Sequence, residues 1–240
     1  MRIDKYLSEC SQFSRKELRD IIRKGRVTVN GSVVRDFAMH IDTDAQVAVD
    51  GVIARYRKYI YLMLNKPAGY LSATEDDRDP VVTELVPEEL RHFNVFPAGR
   101  LDKDTEGLLI LTNDGQFDHN LTSPRKDVCK RYFARLDAPA SPEDAAVFAE
   151  PMDLGDFTAK PGRLHLTAVP DEVYIDIAEG KFHQVKRMCE KVGKRVLFLK
   201  RVAIGGLALD ASLAGGKVRE LDETELSAAL APGFDALPEL

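Results

Sequence analysis

The sequence predicts an α+β protein in two parts: a small N-terminal α-α-β module over residues 1–58, and a larger domain over residues 59–240 built on a mixed, mainly antiparallel sheet. Three observations predict it. Strand-like segments dominate and helical ones fall between them irregularly, unlike the strict alternation of a doubly wound fold. The hexapeptide ARYRKY (Ala54 to Tyr59) reads as a linker between short elements and a buried strand. The charge changes sign at the same point: residues 1–58 carry 12 Lys/Arg against 8 Asp/Glu, and residues 59–240 carry 22 against 31.

A short helix fits Ile3 to Glu9. Ser14 opens a second as the N-cap of SRKE, with Glu17 three residues on as its reciprocal partner; Leu18, Ile21 and Ile22 recur at helical spacing and Gly25 ends it. RVTVN-G-SVVRD alternates around Asn30-Gly31 and reads as a hairpin, and AQVAVDG adds a third strand closed by Asp50-Gly51. Beyond the linker, YIYLMLNKPAGYLSA begins as a buried strand and runs into a Pro-Gly turn. Val95 to Pro124 offers a loop, an apolar strand at Leu108 to Leu111, an Asn-Asp-Gly turn and a helical stretch. Further strands are expected at Tyr132 to Leu136, Leu164 to Val169, Val173 to Ala178 and Val196 to Ile204. Helices are expected near Pro142 to Ala149, Phe182 to Val192 and Glu223 to Leu230.

At 240 residues, 44% hydrophobic and 30% charged, with 16 Gly and 12 Pro, the chain is neither fibrous nor disordered, and it can bury a core without staples. Its longest apolar runs, such as GLLILT, fall far short of the roughly 20 residues of a membrane helix. MRIDKYLSECSQ lacks the apolar stretch of a secretory leader, so a cytoplasmic location with no membrane partner is expected. Cys10, Cys129 and Cys189 are far apart and odd in number, which points to idle thiols. The net charge of −5 conceals two basic islands. One is the helix face of Arg15, Lys16, Arg19, Arg23 and Lys24, continued by Arg26; the other is Lys181 to Arg201, with eight basic residues and one acidic. The last 21 residues hold six acidic and no basic side chains and read as a solvated tail. A polyanionic partner is thus compatible with the acidic total, although an ordinary solvated helix face carries charge in the same way.

No P-loop, dinucleotide, zinc-protease or nucleophile-elbow motif occurs, the five histidines are isolated, and no metal is expected. The most unusual stretch is AGRLDKDTEGLLILTNDG (Ala98 to Gly115), in which Asp102 stands between Arg100 and Lys103 just before an apolar strand. A carboxylate kept ionised in a partly closed pocket by a nearby cation is a competent nucleophile or electrostatic stabiliser. The competing reading of Asp102 and Asp104 is a plain polar turn.

Six collinear segments span nearly the whole chain: LNKPAGY (Leu64 to Tyr70), GRLDKDTEGLLILTNDG (Gly99 to Gly115), LTSP (Leu121 to Pro124), KRY (Lys130 to Tyr132), EGKFHQVKRM (Glu179 to Met188) and IGGLALD (Ile204 to Asp210). Together they resemble the RsuA/RluB-type ribosomal RNA pseudouridine synthases, in that family's order. RIDKYL, SRKELRDIIRKGRVTVNG and the later Asp-Gly strand resemble the S-four-type (αL) RNA-binding domain. The resemblance implies an enzyme that isomerises a specific uridine to pseudouridine, breaking the N1–C1′ bond and remaking it through C5, with no cofactor or metal. It is nearest to the small-subunit branch, and the implied partner is ribosomal RNA or an assembly intermediate, met by a monomer. By the same resemblance, Asp102 is the essential carboxylate and Tyr132 the aromatic that stacks on the target uracil. Lys186 of the H-Q-x-[KR] motif is the cation paired with Asp102, with Arg187 as the alternative, and Arg100 matches the arginine that takes the space of a swung-out uridine.

Flipping is required because C1′ and C5 are not both within reach inside a stacked helix. Lys181, Lys191, Lys194 and Arg195 read as phosphate contacts, and Arg15, Lys16, Arg19, Arg23 and Arg26 as an RNA-binding strip. From the residues alone, Tyr132 is equally a core strand tyrosine and Lys186 a member of a wet helix face. Three other functions compete. The large-subunit branch shares every motif quoted, an assembly factor would use the scaffold without the chemistry, and a glycosidase or nucleosidase would use Asp102 and Asp104. The last has no use for a basic N-terminal module.

Overall fold

Ser14 starts its helix as its hydroxyl dictates: Oγ accepts from Glu17 N at 3.3 Å while the Glu17 carboxylate accepts from Ser14 N at 2.8 Å. In the computed structural model, which describes every residue except Gln12, Arg55 and Leu240, the chain forms two units. One comprises Met1–Ile60 with Pro87–Asn94, the other Tyr61–Val86 with Val95–Leu240.

In the first unit, helix α1 (Ile3–Cys10) buries Ile3, Tyr6 and Leu7, and α2 (Arg15–Arg23) buries Leu18, Ile21 and Ile22. These apolar stripes close over strands β1 (Val27–Val29), β2 (Ser32–Val34) and β3 (Val47–Val49) through Val27, Val29, Val34 and Val47. Asn30 and Gly31, at φ 49° and 80°, make the tight turn that the Asn-Gly pair calls for.

The reading of three strands misses one. Asp50 and Gly51 repeat the left-handed turn and lead into β4 (Val52–Ala54), so the antiparallel sheet runs β2-β1-β3-β4. Val52 and Ile53 are both exposed, at 72% and 50%, so this edge strand lacks the apolar-in, polar-out alternation that reveals a strand in sequence. The stretch assigned to the linker is also tied to this unit: Tyr6 Oη donates to Ala54 O at 3.1 Å and accepts from Tyr56 N at 3.3 Å. Arg55, within that stretch, lies outside the described residues.

The second unit is organised by a nine-stranded sheet. Its members are β5 (Tyr61–Lys66), β6 (Phe96–Ala98), β7 (Glu106–Thr112), β8 (Lys130–Leu136), then, after the small pair β9 (Met152–Asp153) and β10 (Thr158–Ala159), β11 (Arg163–Leu166), β12 (Glu172–Ile177), β13 (Val196–Ile204), β14 (Leu207–Ala208) and β15 (Val218–Glu220). The main path is β11-β12-β8-β13-β7-β5-β15, with β14 on β13 and β6 on β7. Every pairing is antiparallel except β13 with β7, which gives the mixed, mainly antiparallel sheet expected. Helices α3 (Gly115–Thr122), α4 (Pro142–Phe148), α5 (Gln184–Lys191) and α6 (Glu223–Ala229) are interspersed. Leu108 to Leu111 are fully buried, so β7 has no wet face and reads as a continuous apolar run.

Two glycines are set by close approach. Gly107 sits at φ 101°, and a Cβ there would lie 2.2 Å from Arg201 O, so the parallel pairing of β7 with β13 needs a residue without one. At Gly205 a Cβ would lie 2.7 Å from the carbonyl oxygens of Ala228 and Ala229, which is where the end of α6 docks.

That docking corrects the reading of the acidic C-terminus as a solvated tail. Leu221 and Ala229 enter the core, Leu237 packs with Cys129 and Ala203, and Arg219 pairs with Glu225 at 2.7 Å. Here apolar residues between the charges outweigh the solvation of the charges themselves. The helix expected from Phe182 begins instead at Gln184, because His183 adopts the left-handed conformation, φ 51°, ψ 26°.

Candidate active site

A cavity of about 170 Å³ opens beside the β6–β7 loop of the larger unit. That is below the roughly 300–1,000 Å³ of drug-sized sites, a scale that suits a single base. Arg100 and Asp102 line it from that loop, Lys130 and Tyr132 from β8, and Glu179, Lys181 and His183 from the β12–α5 loop. Lys186 on α5 and Arg201 on β13 complete the wall. Sheet register brings the strand residues together, since Tyr132 pairs with Arg201 across β8 and β13.

The Asp102 loop is fixed from below by the LNKPAGYLS segment. Lys66, fully buried at the end of β5, donates to four backbone carbonyls: Thr105 at 2.8 Å, Asp102 at 3.1 Å, and Pro67 and Lys103 each at 3.2 Å. Ser72 Oγ accepts from Leu101 N at 3.0 Å and donates to Leu101 O at 2.9 Å. An ammonium has three donors and no acceptor, so several carbonyls turned inward on one lysine define a tight loop. Burial draws the Lys66 pKa down to about 8 against the pull of Asp104, Asp102 and Glu106.

Asp102 is left 26% exposed at the cavity wall, with Oδ2 3.0 Å from Lys186 Nζ and Oδ1 3.7 Å from His183 Nε2. Lys186 also binds Asp104 Oδ1 at 2.6 Å. Burial works against the charge on Lys186, but the two carboxylates outweigh it and raise its pKa above the ordinary lysine value. Asp104 is likewise held low because its bond to Lys186 outweighs the effect of burial. Lys130 is buried with Nζ on Val128 O at 2.7 Å; burial and the charge of Arg201 bring its pKa to about 8. Arg201 donates from Nε to Leu108 O at 2.8 Å, while its Nη2 and Thr105 Oγ1 are buried with no hydrogen-bond partner among the described residues. The wall therefore holds the Asp102–Lys186 pair together with the buried basic side chains of Lys130 and Arg201, an arrangement that stabilises charge developing on a bound molecule.

Residues 60–191 match the family described as RNA pseudouridylate synthase, and residues 1–47 match the S4 domain. The chain belongs to the RNA pseudouridylate synthase family. It is 46% identical over 236 residues to the uncharacterized RNA pseudouridine synthase YtzG of Bacillus subtilis, covering 94% of this chain and 97% of that one. It is 40% identical over 234 residues to ribosomal small subunit pseudouridine synthase A of Escherichia coli, covering 96% and 100%. A crystal structure of a pseudouridylate synthase superposes with a TM-score of 0.67 at 32% identity, over 95% of this chain and 99% of its own. The protein is thus an RNA pseudouridine synthase with an RNA-binding S4 domain.

Against that background the residues singled out from sequence divide into two groups. Asp102, Tyr132, Lys186, Arg100 and Lys181 meet at the cavity. Arg187, the alternative partner for Asp102, does not: it binds Leu154 O and Asp156 and lies 4.8 Å over the Phe157 ring. One residue further along α5 is a turn of about 100°, which takes it off the cavity face. Lys103 turns to Asp79 at 2.6 Å rather than flanking Asp102. Of the proposed phosphate contacts, Lys194 pairs with Asp144 at 3.0 Å and Arg195 with Asp137 at 3.7 Å.

On the S4 domain, Arg15 and Arg19 line a depression with Arg2, Asp4 and Lys5. Arg19 and Arg23 stand 5.0 and 5.6 Å over Phe37. Lys16 is exposed. Arg26 is the correction: Asp50 takes its guanidinium in a bidentate pair, so it adds little to a positive strip. The turn that brings Asp50 alongside it is tertiary, 24 residues on in sequence.

Sequence reasoning missed Lys66, Lys130, His183 and Arg201 as site residues. A lysine closing a strand that is mostly apolar, YLMLNK, was the available signal for the first. Nothing short of the fold reveals that His183 reaches Asp102. Among the described residues, no group of three or more His, Cys, Asp and Glu is gathered to hold a metal.

Proposed function

We propose that this synthase converts one uridine of small-subunit ribosomal RNA to pseudouridine in the cytoplasm, using Asp102, Tyr132 and Lys186 on a base flipped into the cavity. The observation that carries the chemistry is the Asp102–Lys186 pair, 3.0 Å apart on the wall of a base-sized cavity that also holds Tyr132. The target is supported by the match to ribosomal small subunit pseudouridine synthase A over nearly the full length of both chains.

Cleaving N1–C1′ leaves positive charge on the sugar and negative charge on the uracil. The Asp102 carboxylate, 3.0 Å from the Lys186 ammonium, serves the cleavage either by bonding to the sugar, which answers the first charge, or by adding to the base or accepting a proton. Lys130 and Arg201 answer the second, since the charge of a departing uracil spreads onto O2 and O4. Tyr132 supports the ring while it turns to offer C5, the C5–C1′ bond forms, and the C5 proton departs as N1 regains one. Arg100 fills the position the nucleotide leaves in the RNA.

The test is pseudouridine mapping of both ribosomal RNAs, by carbodiimide labelling and reverse-transcription stops, in cells with the gene, without it, and with Asp102→Asn. One site lost from small-subunit RNA in both altered strains is expected. A site lost from large-subunit RNA would overturn the target, and no lost site would favour a binding role.

A further inference from the structure

Between β12 and α5 an aromatic ring is held out into solvent at the edge of the cavity. Phe182 is 70% exposed, and among the described residues it alone of the large exposed hydrophobics has both chain neighbours, Lys181 and His183, in the cavity wall. Its ring lies flat on the His183 imidazole, with centroids 3.8 Å apart and planes 17° from parallel. Single exposed apolar side chains are ordinary; one that is already stacked from behind, with its other face open beside a functional cavity, is not.

The backbone beneath this pair is braced. Gln184 Nε2 donates to Glu179 Oε1 at 3.1 Å, and Gln184 Oε1 accepts from Lys181 N at 3.0 Å, closing the loop on itself. Glu179, 5% exposed, also accepts from Lys160 N at 2.9 Å. The left-handed backbone of His183, uncommon for a residue with a side chain, starts α5 only at Gln184 and leaves Phe182 and His183 outside the helix. His183 Nε2 is 3.7 Å from Asp102 Oδ1, so the stack leads outward from the carboxylate itself.

Drawing a nucleotide out of a strand strips its neighbours of one stacking face. We propose that Phe182, backed by His183, is a binding site for a nucleobase: the base adjacent in the strand to the target uridine stacks on the open face of the ring. The inference rests on the reading of the cavity as the site of uridine isomerisation. Every base has a π-face, so the platform contributes affinity and positioning and little sequence choice. Lys181 and Arg100 beside it supply the positive charge that the flanking phosphates require.

The test uses the full-length protein and two short RNAs carrying the mapped target uridine, with 2-aminopurine at one flanking position or the other. Wild type, Phe182→Ala, Phe182→Leu and Phe182→Tyr are compared in fluorescence and in steady-state turnover. Binding to wild type should quench 2-aminopurine at one of the two positions. The quench should vanish in the alanine and leucine variants and persist in the tyrosine variant. KM for the RNA should rise about tenfold in alanine and leucine with kcat within about threefold of wild type, as loss of one stacked base predicts. An active wild type with an unchanged Phe182→Ala, or a leucine variant as good as tyrosine, would overturn the stacking site alone. A wild type that makes no pseudouridine in any such RNA would overturn the functional reading and the stacking site with it.

Discussion

The Lys186 ammonium stands 3.0 Å from the Asp102 carboxylate and, in the same position, 2.6 Å from Asp104. One cation therefore serves two acids, and its removal exposes each to the other. Asp104 is held below the usual carboxylate range, so its share of the interaction is present above that range and fades as pH falls through the lowered pKa. Lys186 is raised above 10.5, so its share is complete below 10.5 and fades only above it. The unit is intact across the neutral range.

Lys186→Met should lower the single-turnover rate about 100-fold or more, because the Asp102 carboxylate loses the cation 3.0 Å away, and should let the Asp104 pKa rise toward the ordinary carboxylate value. Lys186→Arg should restore most of the rate and keep the Asp104 pKa low. A methionine variant that turns over like wild type, or whose Asp104 stays low by NMR titration, would separate Lys186 from these carboxylates.

Lys66→Met should leave inward-facing carbonyls unpaired, lowering stability by about 2–4 kcal/mol at pH 7, with a larger loss of activity because the Asp102 loop is no longer pinned. With its pKa near 8 when folded and 10.5 otherwise, Lys66 releases its proton earlier in the folded state. Its contribution to stability therefore rises with pH between those values, by roughly 1 kcal/mol per unit, and is flat below them. Urea denaturation of wild type and variant at pH 7, 9 and 10 reads this as a difference in slope; parallel slopes would exclude it.

Gly107→Ala should destabilise by about 3 kcal/mol or more, because the added Cβ meets Arg201 O and the backbone is left-handed. Gly115→Ala, at a glycine with open space and ordinary φ, is the control and should stay within about 1 kcal/mol. Similar midpoints for the two would mean that β7 and β13 do not need their close approach.

Arg15→Ala and Lys16→Ala should each reduce the slope of log affinity against log salt by about 1, as loss of one phosphate contact does. Arg26→Ala should leave it unchanged, because Asp50 already neutralises that guanidinium. A salt slope that drops equally for Arg26→Ala would return it to the RNA-binding face.

Much of the architecture was legible in the chain. The Ser14–Glu17 cap, the Asn30-Gly31 hairpin and the uninterrupted apolar run of β7 are local patterns, and local patterns survive into the fold because the interactions that carry them span only a few residues. β4 was not legible, since its exposed Val52 and Ile53 give no apolar alternation; α6 was legible as a helix, but its docking was not, since the core it enters is built from elements far away in sequence.

The candidate site shows the same division more sharply. Residue chemistry singled out the Asp102 stretch, motif order resembled a family that sets Tyr132 and Lys186 beside it, and the basic N-terminal module pointed to RNA. Only the tertiary structure decided that Lys186 and not Arg187 meets Asp102, that Lys103 leaves for Asp79, that Arg26 is spoken for by Asp50 and that buried Lys66 holds the loop. Which charge pairs with which depends on distances of a few ångströms between groups up to 84 residues apart, as for Asp102 and Lys186, and Coulomb energy in a partly buried site changes steeply over that range.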